Sequence, residues 1–413
     1  MLNFHKTKSI QEITLQKITH LICIICLLIT SFSAISATPT DYDEKWHHMG
    51  EVSKYGYEWL YFDLTSDDGL QLSVAFLGPN GFDPRLTRSY LLHPKNPRPS
   101  DFVGSIAQGM LPSGKIFSIQ DYGVDRKSVQ FDIKNYALTM ENSSVARSID
   151  ANGVKTYQLT LNQTDSVSGQ NFKANIEIVG IEKSWMHKKG YLYVNKNNPK
   201  EYHKWVVSVP RGKVTGDYQL TALDGTIIKK GVINGLGYHD HNYGTVPMGS
   251  TIKSWYWGRS FTKNTTVIAA KVFNKKGAIK KAEKIVENIA YMSVGGKRIL
   301  GTITGIEPTI SGRKDMVKAA NKMKYPKEFK FAITLADGSK SIIEMSNKKA
   351  THEQKDAPGY VRVEGDILVT HMLKGNVLDF SEKGHSLFEV MNLRKAGIYQ
   401  LKKAIFDRDV LKH

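Results

Sequence analysis

Thiol chemistry is nearly missing from this sequence, whose 413 residues include only two cysteines, Cys23 and Cys26. Both fall in an apolar run, Leu21 to Ile29, that follows the basic residues Lys6, Lys8 and Lys17 and precedes the small residues Ser33, Ala34, Ser36 and Ala37. Basic, then apolar, then small is the order of a secretory leader, and it predicts a signal peptide over residues 1–37, removed near Ser36 or Ala37. The run breaks at Thr30 and Ser31, short of the roughly 20 residues needed to cross a bilayer. With the leader gone no thiol remains, so disulfides, thiolate metal sites and cysteine nucleophiles are excluded. The expectation is an exported protein, periplasmic or secreted, held together by its core alone.

Nucleotide signatures are absent as well. There is no Walker loop, and Gly235-Leu236-Gly237 lacks the third glycine and the following helix of a dinucleotide fingerprint. Nor is there a Gly-x-Ser-x-Gly elbow or the short-period repeat of a propeller or solenoid. Acidic residues are outnumbered, 39 against 57 Lys and Arg, for a formal net charge of +18. The excess gathers in Lys271, Lys275, Lys276, Lys280 and Lys281, and again from Arg313 and Lys314 to Lys330. Export makes nucleic acid a poor partner, whereas peripheral contact with an anionic membrane, where an apolar substrate resides, is an expected use of that charge. A merely solvated basic face is the other reading.

What the sequence has is β punctuation. Short apolar and aromatic runs alternate with turns, as in Gly56–Leu64, Ser66-Asp67-Asp68-Gly69 and Leu70–Leu77, and the rhythm returns through Ser254–Phe261 to Ser386–Leu393. Helix is expected weakly over Ser100–Met110 and in the Lys-rich Arg313–Met323. Regular strands over this length predict an all-β protein with a sandwich or barrel in each half, divided into residues 38–248 and 249–413. No linker of low complexity separates them, so close packing is expected.

Gly237-Tyr238-His239-Asp240-His241-Asn242-Tyr243-Gly244 is the most unusual stretch. If extended, it puts Tyr238, Asp240 and Asn242 on one face and His239 and His241 on the other. Read as His-x-His the second face could hold zinc, which needs a third ligand, and His203, His352, His371 and His385 have no spacing that commits them. The preferred reading is that both histidines brace the strand through backbone or carboxylate hydrogen bonds, with no metal and no cofactor. Upstream, His203 and Trp205 share a side of their strand; downstream, Trp255 and Trp257 share another. A cavity reached by these aromatics, a histidine and Asp240 has the composition of a small-molecule site.

Here a resemblance becomes specific. The 237–244 string, with His203-Lys204-Trp205 before it and Trp255-Tyr256-Trp257-Gly258-Arg259 after it, resembles the hallmark of the carotenoid 1,2-hydratase (hydroxyneurosporene synthase) family. AttH-like proteins and certain fungal Diels-Alderases share that family's two-barrel, lipocalin-like fold. Glu58-Trp59-Leu60-Tyr61-Phe62-Asp63 is similar to the family's Glu-Trp-Trp-Tyr-Phe segment, with Leu60 in place of an aromatic; Tyr243 stands where the hydratases usually carry Trp, and Lys204 replaces a His.

The resemblance implies a lyase that hydrates an isolated carbon–carbon double bond of an isoprenoid or other apolar substrate. By that resemblance Asp240 would be the acid, with Tyr238, His203 and Trp205 around it; side-chain chemistry adds that the phenol can orient the acid and the imidazole hold the attacking water, while a buried Asp240 paired with a His or Arg259 is the structural alternative. Trp205, Trp255, Trp257 and Tyr243 would line the substrate site, with His239, His241 and Arg259 structural. Elementary chemistry sets the condition: an Asp of ordinary pKa, about 3.9, has no proton to give at neutral pH, and burial must raise it. Aromatic faces then stabilise the carbocation by roughly 0.5–2 kcal/mol each. Two alternatives stay open on this scaffold: a cyclase or pericyclase, and a non-catalytic carrier of hydrophobic ligands.

Overall fold

Strict alternation of buried and exposed side chains is what makes these segments strands. In Lys155–Thr164, for example, Tyr157, Leu159, Leu161 and Gln163 point inward while Gln158 and Thr160 face solvent. A period of two presents one apolar face, and that face must be covered. The turns between strands follow the Asp-Gly chemistry visible in the sequence: after Ser66, the Asp68 carboxylate accepts the Leu70 N–H at 3.0 Å and Gly69 takes a φ of 94°, a conformation that favours a residue without Cβ.

The computed structural model describes residues 37–308, 316–319, 322–352 and 359–407. The expected signal peptide, with Cys23 and Cys26, lies outside the described residues apart from Ala37. In chain order the first half forms α1 (Asp41–Glu44), α2 (Met49–Val52), β1 (Tyr57–Ser66), β2 (Gln71–Leu77) and α3 (Pro84–Leu92). It continues with β3 (Gly104–Met110), β4 (Ile116–Asp121), β5 (Gln130–Asp132), β6 (Ala137–Met140), β7 (Ser143–Ile149) and β8 (Lys155–Thr164). There follow β9 (Asn171–Gly180), β10 (Tyr191–Asn195), β11 (Asn198–Thr221), β12 (Ile227–Gly244) and α4 (Met248–Thr251). The second half forms β13 (Ile252–Thr262), β14 (Thr265–Asn274), α5 (Lys276–Lys281), β15 (Ala282–Ile285), β16 (Asn288–Val294), β17 (Lys297–Arg298) and β18 (Gly301–Pro308). It ends with β19 (Met316–Lys318), β20 (Lys324–Pro326), β21 (Glu328–Leu335), β22 (Lys340–His352), β23 (Tyr360–Leu373), β24 (Val377–Asn392) and α6 (Leu393–Phe406).

The all-β expectation holds, as two antiparallel sheets in two lipocalin-like domains. The first sheet runs β4-β3-β2-β1-β12-β11-β9-β8-β7-β6-β5, and the second β17-β16-β14-β13-β24-β23-β22-β21-β18. Each encloses its own apolar core, around Phe62, Leu72 and Ile176 in the first and Phe329, Val363 and Phe388 in the second. A third cluster lies between them, where Trp185, Trp205 and Tyr238 meet Trp257, Ile289 and Tyr291. Close packing of the halves is also written into the backbone: β15, reached from the second sheet, returns to pair with β10 of the first, with Tyr193 opposite Ile285.

Two expected helices are corrected. Ser100–Met110 contributes β3, paired on one side with β2 and on the other with β4. Both its neighbours need backbone partners, and its Gly109 is pressed so closely on the Gln71 carbonyl that a Cβ would stand 1.8 Å from that oxygen; ladder hydrogen bonds override a weak apolar period. Within Arg313–Met323, Met316–Lys318 forms β19 against β20, and residues 313–315, 320 and 321 lie outside the described ones. Conversely, α3 was readable but unread: Asp83 caps it by accepting the Arg85 N–H at 2.8 Å, and Pro84 occupies its first turn. At its end α3 touches α6, where the Arg88 guanidinium donates to the Ala404 carbonyl at 3.1 Å.

Candidate active site

Between the two sheets lies a cavity of about 970 Å³, the size of a pocket for an extended organic molecule. Tyr57, Trp59 and Tyr61 of β1, Trp205 of β11, and Trp255 and Trp257 of β13 give it aromatic walls, and residues of α3 and α6 line one end. The alternation of β12 decides which of its polar groups reach this space. Asp240 sits opposite Tyr61 on β1 and Val207 on β11, and both it and Asn242 line the cavity.

The Asp240 carboxyl is held on both oxygens. Its Oδ2 accepts the Trp205 indole N–H at 2.8 Å and the Tyr238 O–H at 2.7 Å, while Oδ1 accepts the Asn242 amide at 2.7 Å. Burial pushes its pKa up to about 7, against the pull of the Tyr238 and Trp205 donors. Among the described residues no cation pairs with it: Arg259 donates instead to Asp63 Oδ1 at 2.7 Å and to Thr65 at 3.1 Å across the domain interface. At neutral pH about half of such a carboxyl carries its proton.

The opposite wall comes from β23 and β24 and has a polar cluster of its own. Arg362 donates to the Tyr61 hydroxyl at 2.6 Å. Glu389, its cross-strand partner, accepts the Trp255 N–H at 3.0 Å and the Tyr360 O–H at 2.8 Å. Among these lining residues the Trp257 indole N–H, the Arg362 Nε and the His352 Nδ1 are buried without a partner, so polar groups remain for a bound molecule to satisfy.

Of the residues singled out in the sequence, Asp240, Trp205, Trp255 and Trp257 meet in the cavity, and Tyr238 stands directly behind Asp240. His203 does not line it. Its ring is wholly buried, Nδ1 at 2.9 Å from the Tyr57 hydroxyl and Nε2 at 2.5 Å from Thr251 Oγ1, and burial lowers its pKa to about 3. It buttresses Tyr57, which itself lines the cavity. Tyr243 is also displaced from its expected role: it lies on the odd-numbered face of β12, stacked on His47 with ring centroids 4.1 Å apart. On that same face His239 stacks on Phe62 at 3.9 Å and meets the Tyr61 carbonyl through Nδ1 at 2.8 Å. Burial lowers the His239 pKa to about 3.

Sequence reasoning missed Tyr57, Tyr61, Tyr360, Arg362 and Glu389. For the two tyrosines the signal was present, since alternation puts Tyr57, Trp59 and Tyr61 on one face of β1. For Arg362 and Glu389 there was none, because only long-range strand pairing brings them opposite each other. Metal-ligating side chains do not cluster in the cavity among the described residues; the trio that does cluster, His47, Glu58 and His241, involves the other face of β12.

Against known proteins, no family model matches the chain. It is 27% identical over 257 residues to a protein named hydroxyneurosporene dehydrogenase from Chlorobaculum tepidum, covering 58% of this chain and 62% of that relative. The match thus spans less than two thirds of the relative's length. Among solved structures, CghA with Sch210972 superposes with a TM-score of 0.54 at 13% identity, over 82% of this chain and 88% of that one. A putative AttH from Nitrosomonas europaea superposes with a TM-score of 0.51 at 14% identity, over 87% of this chain and 97% of that one. At such identities these structures are similar to this chain in fold.

Proposed function

We propose, from the 27% identity to a hydroxyneurosporene dehydrogenase and the fold shared with an AttH structure, that the chain is an AttH-like, carotenoid 1,2-hydratase-related protein and a hydratase-like lyase adding water to an isolated C=C bond of an apolar, isoprenoid-like substrate. One observation carries the proposal: a carboxyl with a pKa near neutrality faces a large, aromatic-walled cavity without a paired cation.

The hydrogen bonds suggest how the acid works. Oδ2 already receives two donors and Oδ1 one, so the acidic proton belongs on Oδ1. As that proton passes to the alkene carbon, the C=C π pair forms the new C–H bond and the other carbon becomes a tertiary cation. The negative charge left on Asp240 falls under three donors already in place, which is electrostatic preorganisation. Trp205, Trp255 and Trp257 offer their faces to the cation. Water then forms the C–O bond, and its surplus proton returns to the Asp240 carboxylate, which serves as base in place of the enclosed His203. The net change is H and OH added across one double bond, with the enzyme restored.

The test is Asp240→Asn assayed on an acyclic isoprenoid alkene in ¹⁸O-water. Turnover and label incorporation should fall by at least ~10²-fold, the usual worth of a general acid, while ligand affinity and circular dichroism stay as in the parent. Unchanged turnover contradicts the proposal.

A further inference from the structure

On the far side of β12 from Asp240, the hydrogen bonds of His241 do not balance. Its Nδ1 lies 3.2 Å from the Asp43 backbone carbonyl, which can only accept, so Nδ1 carries the ring hydrogen. Nε2 therefore presents a lone pair, yet it faces Glu58 Oε1 at 2.9 Å, another acceptor. Two lone pairs at that distance require a positive centre between them, either a proton or a metal ion. His241 and Glu58 are completely buried, so water does not settle the conflict.

His47 decides between the two. Its Nε2 is buried and has no hydrogen-bond partner, and its ligand atom and those of Glu58 and His241 all lie within 4.8 Å of one another. A proton shared by His241 and Glu58 leaves the His47 nitrogen unsatisfied; one metal ion satisfies all three. The supporting contacts have the form that a metal centre needs. The Asp43 carbonyl orients the His241 ring, and the His47 backbone N–H, donating to Oε1 at 2.7 Å, orients the Glu58 carboxylate. The Lys204 ammonium is engaged by Asp43 Oδ1 at 2.8 Å, and no ion pair joins it to Glu58. Bonds of about 2.0–2.2 Å to two imidazoles and a carboxylate place tetrahedral ligand atoms about 3.3 Å apart, so small side-chain shifts suffice.

We propose that His47, Glu58 and His241 form a divalent-metal site of the zinc type, separate from the Asp240 cavity, that ties the N-terminal segment between α1 and α2 to β1 and β12. Three protein ligands leave a fourth position for water.

The experiment uses the full chain, stripped with chelator and dialysed, then titrated with Zn²⁺ and separately with Co²⁺. The expected result is one equivalent bound per chain, visible Co²⁺ d–d bands of a low-coordinate site, and a raised melting temperature with Zn²⁺. His47→Ala, at a partly exposed position, should keep the parent circular dichroism and bind Zn²⁺ at least roughly tenfold more weakly. Absence of binding to the parent, or an affinity that His47→Ala leaves unchanged, overturns the proposal. Neither readout depends on turnover, so the result is independent of the role proposed for Asp240.

Discussion

The two faces of β12 carry titratable groups of equal burial and opposite use. On one, Asp240 is driven toward its neutral form by burial and opens on the cavity. On the other, His239 is driven toward its neutral form by the same cause, but it packs against the Phe62 face and the Tyr157 ring and does not line the cavity. Burial alone therefore does not distinguish a reactive group from a structural one. Adjacent space does, and so do donors arranged for the charged form that the proposed proton transfer leaves behind.

Breaking the comparison at its strongest point means swapping the two groups' fates. Against the ~10²-fold or larger loss for Asp240→Asn, His239→Phe should leave turnover within about a factor of two, measured under saturating substrate. A large loss in the His239 variant would mean the faces are not independent. Next in size, Tyr238→Phe removes one of the two donors on Oδ2. The carboxylate loses a charge-assisted hydrogen bond worth about 1.5–3 kcal/mol, so kcat should drop roughly tenfold or more with KM little changed. The alkaline limb of the pH–rate profile should move upward, since the anion is disfavoured. If the limb stays in place, Tyr238 does not tune the acid.

The pH behaviour sharpens the same contrast, with opposite signs. An acid that must be protonated works below its pKa, so turnover should be full on the acid side and decline as pH rises through about 7. Stability follows the same direction for Asp240: its folded pKa lies above the unfolded value of about 3.9, so its contribution is present at low pH and is lost as pH rises toward 7. His239, lowered to about 3, contributes above its unfolded value of about 6.5 and loses that contribution as pH falls toward 3. Denaturation midpoints should therefore lose a downward slope between about pH 4 and 7 in Asp240→Asn, and a rising slope between about pH 3 and 6.5 in His239→Phe. Smallest of all, His239→Phe gives up the hydrogen bond to the Tyr61 carbonyl, about 1 kcal/mol at neutral pH, read from chemical denaturation.

How far the sequence could be read follows the range of each interaction. Alternation is local, so the strands, the pairing of Tyr238 with Asp240, and the opposite orientation of the two histidines were all accessible from residues 237–244. The same alternation assigns Tyr243 to the histidine face, and the resemblance, not the period, placed it at the substrate. His203 does share a side with Trp205, but the cavity ends before it because Tyr57 from β1 fills the intervening position. That depends on strand register, as does the Arg362 and Glu389 wall, and register joins residues hundreds of positions apart. Capping chemistry at Asp83-Pro84 was local and readable, whereas the apparent helix at Ser100–Met110 yielded to pairing partners on both sides.

Whether burial keeps the Asp240 carboxyl protonated near neutrality is read by titrating it, through carboxyl carbon NMR or the C=O stretch in infrared difference spectra, with Asp240→Asn identifying the signal. A midpoint near pH 7 is expected in the ligand-free protein. A midpoint in the ordinary carboxylate range, about 3.9, would contradict it.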